Sequence, residues 1–286
     1  MIYSILEGGL GNQLFQCCFA FAKGAENGEE IKFDLTGYYF FKERKPDILK
    51  FKISDYVETC KFPKWMRLWW FRYLVNIIKN KFVKTTQKIN LDNYQNVQWI
   101  TEENENIIER DLRVGVCYGY FQSERFFSSY REQLLSLLEP NYEYTDKVKL
   151  LMKRISSEET VSLHIRRGDY VSLGINMKLD YYYKALDYLA DVVGRKLKIY
   201  IFSDDIGWAK ENLKLSEYDK EFIHLENKTA DIDEMMLMSK CKNNIIANST
   251  FSWWGAWLNQ NREKIVIAPK VAFNNVDIIP KEWIRI

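Results

Sequence analysis

Residues 160–170 read TVSLHIRRGDY, and this stretch is the strongest indication of how the chain folds. Val161, Leu163 and Ile165 alternate with other side chains, and a two-residue period of this kind predicts a β-strand. Two arginines, a glycine and an aspartate follow where the alternation stops. In open parallel sheets, ligands bind beyond the carboxyl ends of the strands, where loops and helix N-termini converge. The stretch therefore predicts a core strand with a polar binding site at its tip.

Strands and helices alternate along the chain on both sides of this stretch. The first part predicts a strand at 2–6, a helix at 12–23 and a strand at 31–35. Further strands are predicted near 160–166, 198–203, 221–225, 243–248 and 264–268, with helices near 180–193, 206–213, 233–241 and 252–260. Such alternation is typical of parallel sheets covered on both faces by helices. We therefore predict an α/β protein built from two Rossmann-like domains.

The length of the chain supports a division into two domains. Its 286 residues exceed a single typical domain of roughly 100–150 residues. Pro140 follows the predicted helix at 131–138 and marks a boundary, since helices usually end before a proline. We place the domains at 1–140 and 141–286, and the poorly periodic residues 85–118 stay unassigned.

Composition excludes several classes of protein. Apolar residues make up 47% of the chain and aromatic residues 15%, which excludes disordered and fibrous classes. The five cysteines are odd in number and form no CxxC pair, so we expect reduced thiols and a cytoplasmic location. The start, MIYSIL, has neither the basic nor the long apolar region of a signal peptide. The two histidines, His164 and His224, are far apart, so we expect no metal site.

The two arginines at the strand tip are the first candidate site. An arginine suits a diphosphate because its planar fork donates two parallel hydrogen bonds and stays charged. By the strand period, Ser162, His164 and Arg166 share one face, whereas Arg166 and Arg167 point to opposite sides. The alternative is a solvated strand end without a ligand. A histidine at position 164 also fits a core position better than the role of a catalytic base.

A run of hydroxyl side chains, STFS at 249–252, lies between a predicted strand and a predicted helix. Hydroxyls and the free N–H groups of a first helical turn can bind one anion together. Three hydroxyls in four positions favour a phosphate contact by Ser249, Thr250 and Ser252. A simple helix N-cap is the alternative.

Glycines follow the first predicted strand in the stretch GGLGNQ at 8–13. Dinucleotide-binding proteins carry a related pattern, followed about 20 residues later by an acid for the ribose, and Asp34 lies near that place. The pattern is incomplete, because Leu14 takes the third glycine position. We interpret the stretch as a place where the backbone approaches a ligand closely. The candidate contacts are Gly9, Gly11, Asn12 and Gln13.

Two acidic pairs stand at the ends of predicted elements. Asp204 and Asp205 follow the strand at 198–203, where they can accept hydrogen bonds from a base or ribose, or begin a helix. Asp231 and Asp233 form a DxD, the pattern with which many sugar-nucleotide enzymes hold a divalent metal. They precede an apolar helix, however, where acids in the first turn satisfy free N–H groups. We therefore predict a structural role for this second pair.

Residues 61–84, KFPKWMRLWWFRYLVNIIKNKFVK, form a basic aromatic segment. The segment carries seven Lys and Arg and no acid, so the rest of the chain has a formal charge of −5 although the whole chain has +2. Aromatic and basic residues on an amphipathic helix suit the surface of an anionic membrane. We predict peripheral contact with the inner face of the membrane, with a basic helix packed inside its domain as the main alternative. We expect no nucleic-acid partner.

Four stretches, in this order, resemble the α-1,2-fucosyltransferase family, glycosyltransferase family 11. They are GGLGNQLFQ at 8–16, HIRRGDY at 164–170, IFSDD at 201–205 and NSTFSWWGAWLN at 248–259. The resemblance covers nearly the whole chain and is to members of the bacterial type, which lack the membrane anchor of vertebrate members. It implies two facing Rossmann-like domains in the GT-B arrangement, GDP-fucose as the donor, inversion at the anomeric carbon and no required metal. The implied acceptor is a galactose-terminated oligosaccharide or lipid-linked glycan.

The resemblance also implies roles for residues of the second domain. Arg166, with Arg167 beside it, corresponds to the arginine that holds the donor diphosphate. Asp204 or Asp205 takes the place of a guanosine contact. The run at 249–252 matches the loop on the phosphate side.

For the reacting groups, the resemblance places Asn12 near the transferred fucose. Inversion requires a base for the acceptor hydroxyl, for which Asp169 is the first candidate and His164 the second. Two other classes compete with this interpretation. One is a nicotinamide-dependent oxidoreductase built on the glycine stretch and Asp34, and the other is a non-enzymatic, membrane-adsorbed glycan-binding protein.

Overall fold

The computed structural model of the chain describes residues 1–40, 44–60, 97–100, 114–194, 196–270 and 278–286. The chain divides into two compact units, Met1–Asn141 and Tyr142–Ile286. Each unit contains a parallel sheet connected by helices. The predicted fold class, α/β with Rossmann-like domains, is therefore confirmed.

The first unit is built on parallel strands with β1 at their centre. Its described strands are β1 (Ile2–Ile5), β2 (Ile31–Asp34), β3 (Glu58–Cys60), β4 (Val97–Ile100) and β5 (Val114–Cys117). Its described helices are α1 (Leu10–Asn27), α2 (Thr36–Phe40), α3 (Ile53–Tyr56) and α4 (Arg131–Leu137). The strand order is β3-β2-β1-β5-β4, and Ile2 pairs with Ile31 on one side and with Gly115 on the other. The glycine stretch follows the carboxyl end of β1.

Helix α1 is longer than the predicted 12–23. It begins after Gly9, which is extended, and ends before Gly28, whose φ of 64° is left-handed. Glycine adopts that conformation without a steric cost, and the Gly28 N–H closes the helix by donating to the Gly24 carbonyl. Nearly every residue of its first four turns is buried. The helix is therefore part of the core of the first unit, and its apolar residues extend around most of its circumference.

The second unit is built on parallel strands with β6 near their centre. Its described strands are β6 (Thr160–Ile165), β7 (Lys198–Ser203), β8 (Asp219–Ile223), β9 (Asn243–Ile245), β10 (Val266–Ala268) and β11 (Ile284–Arg285). Its described helices are α5 (Asp146–Ser157), α6 (Gly168–Ser172), α7 (Leu179–Val193), α8 (Ile206–Asn212), α9 (Ala230–Lys240) and α10 (Thr250–Trp257). The strand order is β11-β10-β9-β6-β7-β8.

Strand β6 is buried along its whole length. Val161, Leu163 and Ile165 belong to an apolar cluster that includes the buried face of α7. Ser162, on the other face, accepts a hydrogen bond from Asn244 Nδ2 at 2.7 Å. Both faces of the strand are thus covered, as the alternating pattern predicts, and the tip of the strand has a fixed position.

Some elements of the second unit differ from the prediction. Helix α5 was not predicted, and neither was α6, which turns the residues directly after the two arginines into a short helix. Strand β9 ends at Ile245, before the predicted end at 248, because its pairing with β6 stops at the bridge between Ile245 and Leu163.

The basic aromatic segment at 61–84 lies outside the described residues. Its predicted contact with a membrane surface stays a prediction. In the described ranges, no helix combines the length and the apolar character that a membrane span requires.

Candidate functional site

The tip of β6 carries two arginines in contact with three aspartates. Arg166 Nη2 lies 2.6 Å from Asp169 Oδ1, and Arg166 Nη1 lies 3.1 Å from Asp204 Oδ2. Arg167 Nε lies 3.1 Å from Asp205 Oδ2. We call these five residues the arginine cluster. β6 and β7 are paired parallel strands, so their carboxyl ends lie side by side and bring the two arginines to the two acids that follow β7.

Aromatic rings and a backbone contact orient the two guanidinium groups. The guanidinium carbon of Arg167 lies 3.5 Å from the ring centroid of Trp208, and that of Arg166 lies 5.2 Å from the ring centroid of Tyr170. Cation–π contacts of this kind favour one placement of the charge. The Arg167 backbone N–H also donates to Asp204 Oδ1 at 2.8 Å. As predicted, the two arginines diverge, and each has its own aromatic partner.

Arg166 has hydrogen-bonding capacity that its protein contacts do not use. Its Nε is buried and has no hydrogen-bond partner, while its side chain as a whole is 23% exposed. Two carboxylates now contact its terminal nitrogens. A phosphate or diphosphate offers the same acceptor oxygens with more charge, so it can replace those carboxylates on the planar fork. The two arginines can therefore bind an anion when it displaces the aspartates that now contact them.

Gly168 permits the close approach of Asp204. It is the first residue of α6, and a Cβ built on it would lie 2.6 Å from Asp204 Oδ2. A methyl group cannot stay at that distance from a carboxylate oxygen. Any larger residue at position 168 must therefore displace the acid that contacts both arginines.

His164 is a core residue beneath the arginine cluster. It is 3% exposed, and its ring centroid lies 5.5 Å from that of Phe251. Burial, together with the charge of Arg166, lowers the pKa of His164 to about 3. An imidazole with such a low pKa holds a proton weakly, and its burial separates it from an acceptor. The structure places His164 in the core, although its Nδ1 has no hydrogen-bond partner, and this position does not favour the role of a catalytic base.

The hydroxyl run after β9 forms a helix cap. Ser249 is the N-cap of α10, and its Oγ accepts a hydrogen bond from the Phe251 N–H at 3.3 Å. Ser252 is buried, and its Oγ donates to the Ser249 carbonyl at 3.3 Å. Thr250 is partly exposed at the first position of the helix. The structure does not favour the predicted phosphate contact for Ser252, because its buried hydroxyl has an internal partner, and Ser249 and Thr250 stay candidates.

Two side chains join the hydroxyl run to the residues that follow the arginines. The Tyr170 hydroxyl donates to the Asn248 carbonyl at 3.3 Å, and Asn248 Nδ2 donates to the Ile175 carbonyl at 2.7 Å. Asn248 Oδ1 is buried and has no hydrogen-bond partner. The loops after β6 and β9 are thus held together at one edge of the sheet.

Asp205 begins helix α8 in addition to its contact with Arg167. Its Oδ1 accepts a hydrogen bond from the Trp208 N–H at 3.2 Å. The helix-start alternative is therefore confirmed for Asp205. Asp204 instead contacts both arginines, through Arg166 Nη1 and the Arg167 N–H. Both acids therefore have partners within the protein.

Asp233 of the second acidic pair has a structural role, although its partners are side chains and not the predicted N–H groups of the helix. Asp231 and Asp233 lie in the first turn of α9. Asp233 is buried and accepts hydrogen bonds from the Tyr142 hydroxyl at 2.7 Å, Asn227 Nδ2 at 2.7 Å and the Thr229 hydroxyl at 2.8 Å. In the part of the chain that the structure describes, no group of three or more His, Cys, Asp or Glu side chains is placed to hold a metal ion.

In the first unit, the glycine stretch turns the chain from β1 into α1. Gly8 has a φ of 80°, and a Cβ on it would lie 2.9 Å from Asn12 Nδ2. Gly9 is the N-cap of α1, and Gly11 is buried in its first turn. The bare backbone at position 8 therefore lets the Asn12 side chain fold over the turn.

Gln13 holds the first unit together and does not face a ligand. It is fully buried, and its Nε2 donates to the Gly8 and Lys45 carbonyls at 3.1 and 2.8 Å. Its Oε1 accepts a hydrogen bond from the Ile48 N–H at 3.0 Å. These internal partners occupy its amide group, so the structure does not favour the predicted contact of Gln13 with the substrate.

Four polar side chains meet beyond the carboxyl ends of β1 and β5, and we call them the edge cluster: Glu7, Asn12, Tyr120 and Gln122. Gln122 Nε2 donates to Asn12 Oδ1 at 3.0 Å. Burial raises the pKa of Glu7 above its ordinary value, and a hydrogen bond with the Tyr120 side chain opposes this shift. Among these residues, sequence patterns pointed to Asn12 alone. Polar residues directly after each strand of a parallel sheet were the signal that could have found the others.

Asp34 does not have the surroundings of a ribose-binding acid. It ends β2 as predicted, but it is buried, and its Oδ1 accepts a hydrogen bond from the Thr36 N–H at 2.7 Å. Burial raises the pKa of Asp34 to about 6. A ribose contact requires a carboxylate that faces the ligand. The structure therefore does not support the nicotinamide-dependent alternative.

Comparisons with known proteins identify relatives over the full length of the chain. The family model for glycosyl transferase family 11 matches residues 1–286. The α-1,2-colitosyltransferase of Escherichia coli is 34% identical, over 100% of this chain and 99% of its own. The O-antigen biosynthesis glycosyltransferase WbnK of Escherichia coli is 32% identical over 100% of both chains.

One solved structure with a similar fold is the NodZ α-1,6-fucosyltransferase of Bradyrhizobium, from a crystal soaked with GDP-fucose. It matches with a TM-score of 0.52 and 12% identity, over 90% of this chain and 91% of that chain. At this level of identity the likeness concerns the fold, which is of the GT-B type.

Proposed function

Because this chain is a glycosyltransferase that belongs to glycosyl transferase family 11, we propose that it is an inverting galactoside α-1,2-fucosyltransferase. In this proposal it takes L-fucose from GDP-fucose and attaches it to the 2-hydroxyl of a galactose residue. The acceptor is an oligosaccharide or a lipid-linked glycan. The observation that supports the donor most directly is the arginine cluster, where Arg166 combines an unused buried Nε with partial exposure.

The proposed transfer places charge where the cluster can stabilise it. The bond between the anomeric carbon and the diphosphate breaks, and its electron pair leaves on GDP. Arg166 exchanges its contacts with Asp169 and Asp204 for oxygens of the diphosphate, and Arg167 stays oriented by Trp208. Fixed donors aimed at developing charge are among the largest contributions to catalysis.

A related donor is the second candidate. One relative of this chain is named for the transfer of colitose, a sugar that differs from fucose by the absence of the 3-hydroxyl. The name of the other relative, an O-antigen biosynthesis glycosyltransferase, supports a role in polysaccharide synthesis. The two donors are distinguished by comparing kcat/KM for GDP-fucose and GDP-colitose with the same acceptor. A preference for GDP-colitose of tenfold or more would transfer the assignment to that sugar.

Transfer to galactosides tests the proposed function. We expect GDP release from GDP-fucose to depend on a galactose-terminated acceptor, and the product to carry an α-linked fucose on the galactose 2-hydroxyl by NMR. Galactosides with different penultimate sugars define the preferred acceptor. GDP should raise the thermal unfolding temperature, whereas NADH should not. Activity on glycans without galactose, or a product linked through another hydroxyl, would contradict the acceptor assignment.

Gly168→Ala is expected to weaken GDP binding by about tenfold or more, which corresponds to about 1.4 kcal/mol. The added methyl group displaces Asp204, whose Oδ1 accepts a hydrogen bond from the Arg167 N–H and so fixes the backbone at the tip of β6 that carries the two arginines. The helix itself should tolerate the change, because alanine is favoured over glycine in helices by up to about 1 kcal/mol. The measurement is GDP affinity by calorimetry.

The matched control for this variant is Gly207→Ala in helix α8. A Cβ at Gly207 meets nothing within 4 Å, so this variant should bind GDP like the wild type. If Gly168→Ala also bound GDP with unchanged affinity, the placement of Asp204 would not matter for the nucleotide.

A further inference from the structure

Glu7 stands at the carboxyl end of the central strand of the first unit. Every residue from Ile2 to Leu6 is buried, whereas Glu7 is partly exposed. Its N–H donates to Gln16 Oε1 at 3.0 Å, which ties its backbone to α1. This edge of a parallel sheet is where ligands bind in open α/β folds. A carboxylate with a fixed backbone is therefore presented at the centre of the edge.

The loop after β5 is shaped to reach Glu7. Phe121 has a φ of 51°, in the left-handed region that residues other than glycine rarely adopt. Its buried ring is stacked on Phe19 of α1 with a centroid distance of 3.7 Å and an angle of 3°. Strained backbone of this kind clusters at functional sites. The stacked ring holds the two flanking residues, Tyr120 and Gln122, so that they contact Glu7 and the first turn of α1.

The other candidate bases are less suited to accept a proton. Asp169 is paired with Arg166 at 2.6 Å, and His164 is buried with a pKa of about 3. Asp34 at the end of β2 also has a raised pKa, of about 6, but it is 0% exposed and its Oδ1 accepts a hydrogen bond from the Thr36 N–H, so an acceptor hydroxyl cannot reach it. Burial raises the pKa of Glu7, which makes its carboxylate more basic than that of an ordinary glutamate. A base whose pKa approaches the working pH is more effective.

We propose that Glu7 is the catalytic base of the transfer, an inference that rests on the function proposed above. Its carboxylate takes the proton of the acceptor hydroxyl while the acceptor oxygen bonds to the anomeric carbon. The bond from that carbon to the diphosphate breaks, and its electron pair leaves on GDP. The proton then passes from Glu7 to solvent.

Glu7→Gln tests the proposal. We expect acceptor-dependent transfer to fall about 10²- to 10⁴-fold, the usual contribution of a positioned base. GDP affinity should stay unchanged, because Glu7 is not a member of the arginine cluster. The wild-type rate should fall at acid pH as Glu7 gains a proton, and this decrease should begin above the ordinary range of a glutamate and be absent in the variant. Thermal unfolding should be unchanged or slightly improved, since the amide carries no buried charge.

Chemical rescue separates a base from a residue that only positions the acceptor. Sodium azide has no proton to lose, so it can attack the anomeric carbon without a base and release GDP. We expect azide to restore GDP release in Glu7→Gln to within about tenfold of the wild type. Glu30→Gln, an exposed glutamate of the same unit, is the matched control and should transfer at the wild-type rate.

The outcomes separate this inference from the proposed function. Wild-type protein that transfers nothing to galactosides refutes the proposed function itself. Wild-type transfer combined with a Glu7→Gln rate above a third of wild type overturns the role of Glu7 alone. The same holds if azide fails to restore GDP release. Asp169→Asn should alter donor affinity, but its transfer rate should still fall at acid pH. If the rate of Asp169→Asn did not fall at acid pH, Asp169 would be the base.

Discussion

Replacing Arg166 with alanine is expected to lower the rate of sugar transfer about 10²- to 10³-fold, the usual cost of removing one fixed donor to developing charge. The loss should be large because Arg166 is the arginine of the cluster whose Nε is buried without a hydrogen-bond partner, and its two carboxylate partners cannot take over its charge. GDP affinity should fall as well. The measurement is GDP release from GDP-fucose under saturating acceptor, together with calorimetric binding of GDP.

Two further variants make this result specific. Arg166→Lys keeps the charge but loses the planar fork, so it should recover only part of the activity. Arg262→Ala removes an exposed arginine of the same unit and should leave transfer unchanged. An Arg166→Ala protein that folds normally and keeps more than a third of the wild-type rate would show that the donor diphosphate is bound elsewhere.

Replacing Asp233 with alanine is expected to destabilise the protein by about 1–3 kcal/mol, because a buried carboxylate that accepts three hydrogen bonds is lost and its partly buried donors lose that acceptor. Three donors, from Tyr142, Asn227 and Thr229, lose their acceptor in this variant. The contacts join the start of the second unit and the loop before α9 to that helix. The free energy of unfolding in urea, followed by tryptophan fluorescence, measures the effect.

Asp231→Ala is the matched control for this stability effect. Asp231 lies in the same helical turn but is exposed, so its loss should change stability by less than about 0.5 kcal/mol. Different effects of the two variants would distinguish these acids from a metal site, in which both carboxylates would be needed for activity. Loss of transfer in Asp231→Ala, together with inhibition by EDTA and recovery with manganese, would restore the metal interpretation.

The sequence was most informative about features that depend on residues close together in the chain. The alternation of Val161, Leu163 and Ile165 places β6 in the core, and the loss of that pattern marks the tip with its arginines. Residue spacing within a strand is enough to see this. Residue spacing does not reveal the contact between Asp204 and Arg166. That contact depends on the pairing of β6 with β7 and on a glycine at position 168.

The two candidate site residues that the structure buries with internal partners share a physical cause. Gln13 and Ser252 are polar residues in helices that are buried nearly all around, so helical periodicity could not tell which polar side chains face inward. The edge cluster was missed for a related reason. Gln122 meets Asn12 across 110 residues of chain, and a contact of that separation leaves no trace in local spacing.

The place of β6 in its sheet bears on how the protein fluctuates. The strand has hydrogen-bonded neighbours on both sides, whereas β8 and β11 lie at the two margins. Strands at the margins of a sheet open with a small free energy, whereas central strands open only when most of the domain unfolds. Amide protons of β6 should therefore exchange with deuterium last. If a marginal strand opened transiently, the strand that carries the two arginines would stay folded.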